Sequence, residues 1–460
     1  MIDWPVLNLT MSILIPLSAG YALVIFLLKS ELKEKFLFHI ALAYGLGLGL
    51  LTHWMLFLAY LKIPFSVNSI GGPLVIFASI LLFKFFIKPK TSVFNKHPQQ
   101  ALTESHDHPL FLIFMTLFVG YISTYVFWRS FNVPIINWDA IATVAFRAKL
   151  IFFERGFQHY QDLPKPAYPF HVHFAESWVA FNLGQWHDIF IKIIFPFMFL
   201  SYLFIQYSFL RQYTNKTWAM LGNVFLCASN FLIYHVTIGY VDFTIMYYNL
   251  LTILCLILWQ KSNQQGYLWL SALFSGITTF CKIEGVVYLV IHNAIVLFLL
   301  SQQKQITLVK KIKPFFSFTF LSWGIFFLYF IYKIIHLNGP VMHGTAVDIK
   351  MEYLTRIPTI IKKIIKEMFW LGNWNLLWLL LLVSFLNLKR RIQVLEIKIL
   401  IFSLFAFLTT NFLLFLCTPV YNFLSDLSLL SRWFLHFFPL IPLLIIFLNA
   451  PLSSNQENSI

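Results

Sequence analysis

The chain has 460 residues, of which 59% are hydrophobic, 19% aromatic and only 11% charged, with a net charge of +15. A soluble domain carries about 25% charged residues, so a soluble globular protein is excluded, and with it the nucleic-acid partner that such a charge would otherwise suggest. Lys and Arg instead gather in short loops between apolar runs, the distribution that positive-inside topology produces. Each run is about 20 residues long, enough to cross a bilayer as a helix. Lipid admits only backbones that satisfy their own hydrogen bonds. The expected fold is therefore an all-α polytopic membrane protein with about 13 transmembrane helices and interfacial helices in two long outer loops.

The opening Met1-Ile2-Asp3-Trp4-Pro5 lacks a basic region, so the first apolar run, residues 11–28, is expected to be a retained span. Lys29, Lys33 and Lys35 follow it and place that loop in the cytoplasm and the N-terminus outside. Span 2, residues 36–60, carries Gly45-Leu46-Gly47-Leu48-Gly49, a spacing that lets helices approach closely. Span 3, residues 71–87, ends at Lys88-Pro89-Lys90. The polar stretch 91–108, with His97, His106 and His108, reads as a solvated loop.

Span 4, residues 109–127, leads into the first long outer segment, 128–188. Within it, Phe174 to Leu183 is apolar but too short to cross, so an interfacial or re-entrant helix is expected. Five spans follow at 189–210, 218–234, 243–259 and on either side of Lys282-Ile283-Glu284-Gly285, then a tenth at 315–335. The second outer segment, 336–375, has Lys362, Lys363 and Lys366 among apolar residues, the pattern of an amphipathic helix lying on the membrane over 357–370. An eleventh span ends at Lys389-Arg390-Arg391, and two more occupy 399–417 and 433–448, leaving the C-terminus cytoplasmic. The tail 451–460 is polar and expected to be disordered. Cys227, Cys255, Cys281 and Cys417 sit in or beside apolar runs without metal-type spacing and read as small core residues.

The candidate functional residues lie at span ends. In Asn137–Lys149, a helix would line up Asp139, Thr143 and Arg147 at i, i+4 and i+8. Asp139 reads as an N-cap or as a reactive carboxylate. Asp242, in Gly239-Tyr240-Val241-Asp242, reads as a cap for the next span or as a ligand for a hydroxyl or cation. Lys282 and Glu284 are two residues apart and would not face each other on a continuous helix, but Gly285 marks a bend. Lys282 suits a phosphate, and either charge suits a salt bridge to another span. Arg432 and His436 are one turn apart; the arginine fork suits a phosphate or snorkels to the interface. Trp138, Lys149, Tyr168 and His171 complete the set, and Glu154 is the nearest second carboxylate on the first outer segment. His171 and His173 alternate, which does not make a helical two-histidine metal site. No P-loop, Rossmann glycine pattern, HExxH or GxSxG is present, so a nucleotide-driven pump or serine hydrolase has no support.

Taken in order, Asn137-Trp138-Asp139-Ala140 with Arg147-Ala148-Lys149, Tyr168-Pro169, Gly239-Tyr240-Val241-Asp242, Lys282-Ile283-Glu284-Gly285 and Arg432…His436…Pro439 resemble the membrane-embedded C-type (GT-C) glycosyltransferases. The similarity is to the bacterial branch related to protein O-mannosyltransferases and the lipid A aminoarabinose transferase. It covers residues 109–450; the three-span region 1–108 and the tail 451–460 fall outside it.

The resemblance implies an enzyme of the bacterial cytoplasmic membrane that moves a sugar, at the outer face, from a polyprenyl-phosphate donor to a glycan, lipid or protein acceptor. It makes Asp139 the group acting on the acceptor, for which a carboxylate is a competent general base. It gives Trp138, Arg147, Lys149, Tyr168, His171, Asp242, Lys282, Glu284, Arg432 and His436 roles in substrate binding. Arg432 or Lys282, with lysines of the 357–370 helix, would stabilise the departing polyprenyl phosphate. Relatives often carry two adjacent acidic residues where this chain has Asp139-Ala140, so a second carboxylate would come from Glu154 or Asp242. No cofactor is expected, and nothing in the sequence supports a divalent metal. A transporter or flippase of a lipid-linked glycan is the alternative, and it would favour midplane charges and an internal repeat. A non-catalytic scaffold would leave Asp139, Arg432 and Lys282 individually replaceable.

Overall fold

The computed structural model describes residues 4–29, 36–87, 107–163, 168–303, 307–337, 350–425 and 428–451. Lys33, Lys35, Lys88-Pro89-Lys90, His97, His106, Lys165, Lys304 and the tail from 452 lie outside the described residues, and so do the expectations placed on them. The described chain is helical throughout. Its first four helices are α1 (Trp4–Leu28), α2 (Phe36–Tyr60), α3 (Val67–Ile87) and α4 (Pro109–Asn132). A short connecting rod follows: a π-helical turn, Ala140–Ala145, running into α5 (Phe146–Glu154), then α6 (His171–Leu183). Next come α7 (Ile194–Leu210), α8 (Lys216–Cys227), α9 (Asn230–Thr237), α10 (Val241–Ser262), α11 (Gln265–Cys281), α12 (Gly285–Gln302) and α13 (Leu308–Leu337). The last third holds α14 (Ile357–Phe369), α15 (Leu377–Ser384), α16 (Leu388–Arg391), α17 (Leu395–Cys417), α18 (Ser428–Leu435) and α19 (Leu440–Asn449).

Among the described residues, nine helices are long and apolar enough to cross a membrane, and two bent pairs raise the number to 11. The pairs are α8–α9, bent by 69°, and α18–α19, bent by 51°. This is the architecture of a polytopic helical membrane protein. The remaining expected crossings fall on shorter helices. α11 has 17 residues, and α15 has eight before the chain tightens into a 3₁₀ turn at Phe385–Asn387 and α16.

α10 is the central pillar: every residue from Val241 to Trp259 is buried. α3 and α4 stand at the periphery and leave most of their apolar side chains exposed or only partly buried, as a lipid-facing helix does. The glycines of α2 work as their spacing suggests. A Cβ on Gly47 would stand 2.0 Å from the Pro16 carbonyl oxygen of α1, and one on Gly20 equally close to the Ala43 carbonyl of α2. Backbones touch there because no side chain intervenes. One apolar cluster includes side chains from α1 through α19. Cys227, Cys255 and Cys281 are buried in it as free thiols, and Cys417 is half-buried.

Two expected interfacial helices fare differently. α6 packs against protein rather than lying exposed: residues His171 to Phe181 are all buried. Its Trp178 indole donates to the Ser12 carbonyl of α1 at 2.8 Å, so the helix plugs the space between α1, α2 and α5. α14 is amphipathic, as the lysine spacing suggests. Ile360, Ile364 and Met368 pack inward, Ile361 and Ile365 remain exposed, and Lys363 Nζ holds the Ser425 carbonyl at 2.9 Å.

Candidate functional site: a buried charge cluster and its rim

The ends of four helices meet at one charged cluster. α10 brings Asp242 in its first turn, the α11–α12 break brings Lys282 and Glu284, and α18 ends beside His436. The break is built by local sequence. Lys282 is extended, with φ −156° and ψ 157°. Gly285 then restarts the helix against α11, where a Cβ would stand 2.1 Å from the Thr278 carbonyl oxygen. The break turns Lys282 and Glu284 toward each other, which a continuous helix would prevent.

Lys282 Nζ lies 2.9 Å from Asp242 Oδ1 and 3.1 Å from Glu284 Oε1. His436 Nε2 is 3.0 Å from the same Asp242 oxygen, and its Nδ1 is 2.6 Å from the Tyr288 hydroxyl. The Trp433 indole donates to Glu284 Oε1 at 3.0 Å. The salt-bridge reading of Lys282 therefore holds, and its partner is α10. Asp242 is not a cap: Tyr240 occupies the N-cap position of α10. Burial pushes the Glu284 carboxyl up, but the Lys282 ammonium, His436 and hydrogen bonds from the backbone and the Trp433 indole together outweigh it and hold the group below its usual range. Tyr168 stands in the field of the same charges; burial pushes its phenol above its ordinary value, with Lys282 acting against the rise.

Above this buried core sits a more open pair. Arg432 Nη1 lies 2.6 Å from Asp139 Oδ2, with side chains 26% and 38% exposed. The guanidinium also covers the Tyr240 ring at 4.9 Å. Asp139 makes no capping bond. The carboxylate that the sequence offers as a cap is committed to a cation from the far end of the chain. The π-helical turn after it takes more residues per turn than an α-helix, a feature frequent at functional sites. The expected shared face of Asp139 and Arg147 is lost as a result. Arg147 is buried, with Tyr160 and Tyr168 rings 5.9 and 5.6 Å from its guanidinium.

The structure thus brings Asp139, Asp242, Lys282, Glu284, Arg432 and His436 together, with Arg147 and Tyr168 behind them. It leaves others apart. His171 is buried in the helix core, its Nδ1 2.9 Å from the Thr52 hydroxyl and its Nε2 3.2 Å from the Tyr248 hydroxyl, so neither ring nitrogen is free for a ligand. Trp138 is 79% exposed. Lys149 lies along α5 on a separate cavity. Glu154 is held by His159 at 2.8 Å and does not join the cluster.

Sequence reading passed over Tyr240, Tyr288 and Trp433, ordinary aromatics whose partners are distant in sequence. It also passed over Glu176, for which there was a signal: a lone carboxyl inside the apolar run 174–183. Glu176 is fully buried, and neither carboxyl oxygen has a hydrogen-bond partner among the described residues. Burial raises its pKa well above the carboxylate range. A Cβ on Gly239 would stand 3.9 Å from Glu176 Oε1, 3.9 Å from the Ala140 side chain and 3.8 Å from Lys192 Cδ, so this acid lies just beneath the rim. Among the described residues, no three His, Cys, Asp or Glu side chains converge to hold a metal. No protein-family model matches the chain, and the curated proteins contain no match to it.

Proposed function

We propose that this protein is a glycosyltransferase of the bacterial cytoplasmic membrane that moves a sugar from a polyprenyl-phosphate donor to an acceptor at the outer face. The observation that carries the reading is the Asp139–Arg432 pair on the rim of the Asp242–Lys282–Glu284–His436 cluster. A half-exposed carboxylate beside a half-exposed guanidinium suits a reaction in which a hydroxyl loses a proton while a phosphate leaves. In the resting protein the two neutralise each other. A donor phosphate competing for the Arg432 fork would release Asp139 to take the proton of the acceptor hydroxyl. Donor binding would then precede acceptor activation, which protects the donor from water. Lys282 lies deeper and is occupied by two carboxylates, so its role in this reading is to fix the site, with Arg432 meeting the phosphate.

Counting each bent pair, α11 and the α15–α16 stretch as crossings gives the thirteen expected. In this reading the N-terminus and the charged cluster would face outward and the C-terminus the cytoplasm, as the basic loops suggest. The test is donor discharge: polyprenyl-phosphate sugars are mixed with purified protein and an envelope extract, and release of polyprenyl phosphate is followed. Release by the unaltered protein and its loss in folded Asp139→Asn is the expected result. Release that survives in the variant removes Asp139 from the chemistry, and a protein that moves intact donor across vesicles without release is a flippase.

A further inference from the structure

A second cavity, about 740 Å³ in volume, lies between the α2–α3 turn, α5 and the end of α6. That is within the range of about 300–1,000 Å³ that small-molecule sites occupy. Its depth in the membrane follows from the helices that bound it. α2 ends at Tyr60 and α3 begins at Val67, and both are apolar enough to cross. Phe65, Ser66 and Val67 of that turn line the cavity. The cavity is therefore at the level where spans end and lipid headgroups begin.

Its lining is both cationic and aromatic. Lys149 and Arg155 face it, and neither makes an ion pair among the described residues. Asp188 is the one carboxylate of the lining, and it already accepts the Trp186 indole N–H at 2.6 Å. Phe152, Phe153 and Phe181 supply the apolar wall, with Phe153 66% exposed. The root of one cation is fixed. Arg155 closes α5 in the left-handed region, at φ 53°, and its carbonyl accepts the Phe65 N–H at 2.8 Å. A non-glycine residue seldom holds that conformation unless its surroundings hold it there. Here the clamp joins the α2–α3 turn to the helix that continues from Asp139.

We propose that this cavity binds the headgroup of an anionic phospholipid. Its phosphate would lie between Lys149 and Arg155, and its first chain carbons against the phenylalanines. A water-soluble anion would have no use for that apolar wall, and a neutral lipid would have none for the two cations. The occupied site would tie α5, and through it the turn that carries Asp139, to the membrane surface. The inference does not depend on the transferase reading, because it is tested by binding alone.

The experiment is native mass spectrometry of the full chain from phosphatidylcholine nanodiscs with and without phosphatidylglycerol, with glycerol 3-phosphate as a soluble competitor. Phosphatidylglycerol should be retained in preference to phosphatidylcholine. Each basic side chain near the surface is worth about fivefold in binding, so K149Q/R155Q should retain phosphatidylglycerol roughly thirty-fold more weakly. The charge-keeping K149R/R155K should retain it, and D188N, which removes the opposing carboxylate, should retain it more tightly. These last two read the same site if the neutral variant fails to fold. Equal retention of both lipids, undiminished retention by folded K149Q/R155Q, or displacement by glycerol 3-phosphate at concentrations comparable to the lipid would each overturn the proposal.

Discussion

The buried Lys282–Asp242 pair and the Arg432–Asp139 pair on the rim should differ in what loss of the cation costs. Lys282 and Asp242 are 8% and 2% exposed, so removing the ammonium leaves a carboxylate in a medium that cannot solvate it. Breaking such a buried pair costs about 3–5 kcal/mol. Arg432 and Asp139 are 26% and 38% exposed; a pair that open is worth about 0–1 kcal/mol. The guanidinium over Tyr240 adds about 0.5–1 kcal/mol. Lys282→Met should therefore destabilise the protein by at least ~3 kcal/mol and Arg432→Met by less than ~2 kcal/mol. Equilibrium unfolding in mixed micelles, read by tryptophan fluorescence, measures both. Adding Asp242→Asn to Lys282→Met should recover part of the loss, because the stranded charge disappears, giving a coupling of about 0.5–3 kcal/mol in the double-mutant cycle. Donor discharge should show the reverse order, with Arg432→Met folded and inactive. The reasoning is refuted if Lys282→Met costs less than ~1 kcal/mol, or if the double variant is simply additive.

Gly285→Ala places a methyl group 2.1 Å from the Thr278 carbonyl, so it should cost about 1–3 kcal/mol and loosen the Lys282–Glu284 contact, visible as altered quenching of Trp433. Thr52→Val removes the hydroxyl beside His171 Nδ1 and should cost about 1–3 kcal/mol while leaving discharge per folded molecule unchanged; a selective loss of discharge would return His171 to the site. The Glu284 carboxyl titrates below its unfolded value of 4.5, so its contribution to stability is present above that pH and is lost as pH falls through the lower folded value. Unfolding measured down an acid series should therefore steepen below 4.5, and Glu284→Gln should flatten that part of the profile. Glu176→Gln should fold normally, because burial already favours the uncharged form of the native carboxyl, whereas Glu176→Lys should not accumulate as folded protein in a purification yield assay.

Apolar length and the placement of basic loops determined that this chain is a bundle of membrane-crossing helices, and Gly45-Leu46-Gly47-Leu48-Gly49 foretold one backbone contact. These are local properties: a run of 20 apolar residues has one low-energy form in lipid wherever it sits in the chain. The bend at Gly285 and the lysine-bearing face of α14 were legible for the same reason. What each charge does was not legible. Asp139 has the residue type and position of a cap, yet it pairs with Arg432; His171 follows Tyr168-Pro169 closely in the chain, yet Thr52 and Tyr248 enclose it. A cap is satisfied within one turn, whereas an ion pair depends on which helix end arrives alongside. Only the packing of α6, α10, the α11–α12 break and α18 decided that. The same packing set the crossings: α8–α9 and α18–α19 bend by 69° and 51°, and α6 is drawn inward, where the Trp178 indole and the Ser177 hydroxyl find partners that hydropathy along the chain does not register.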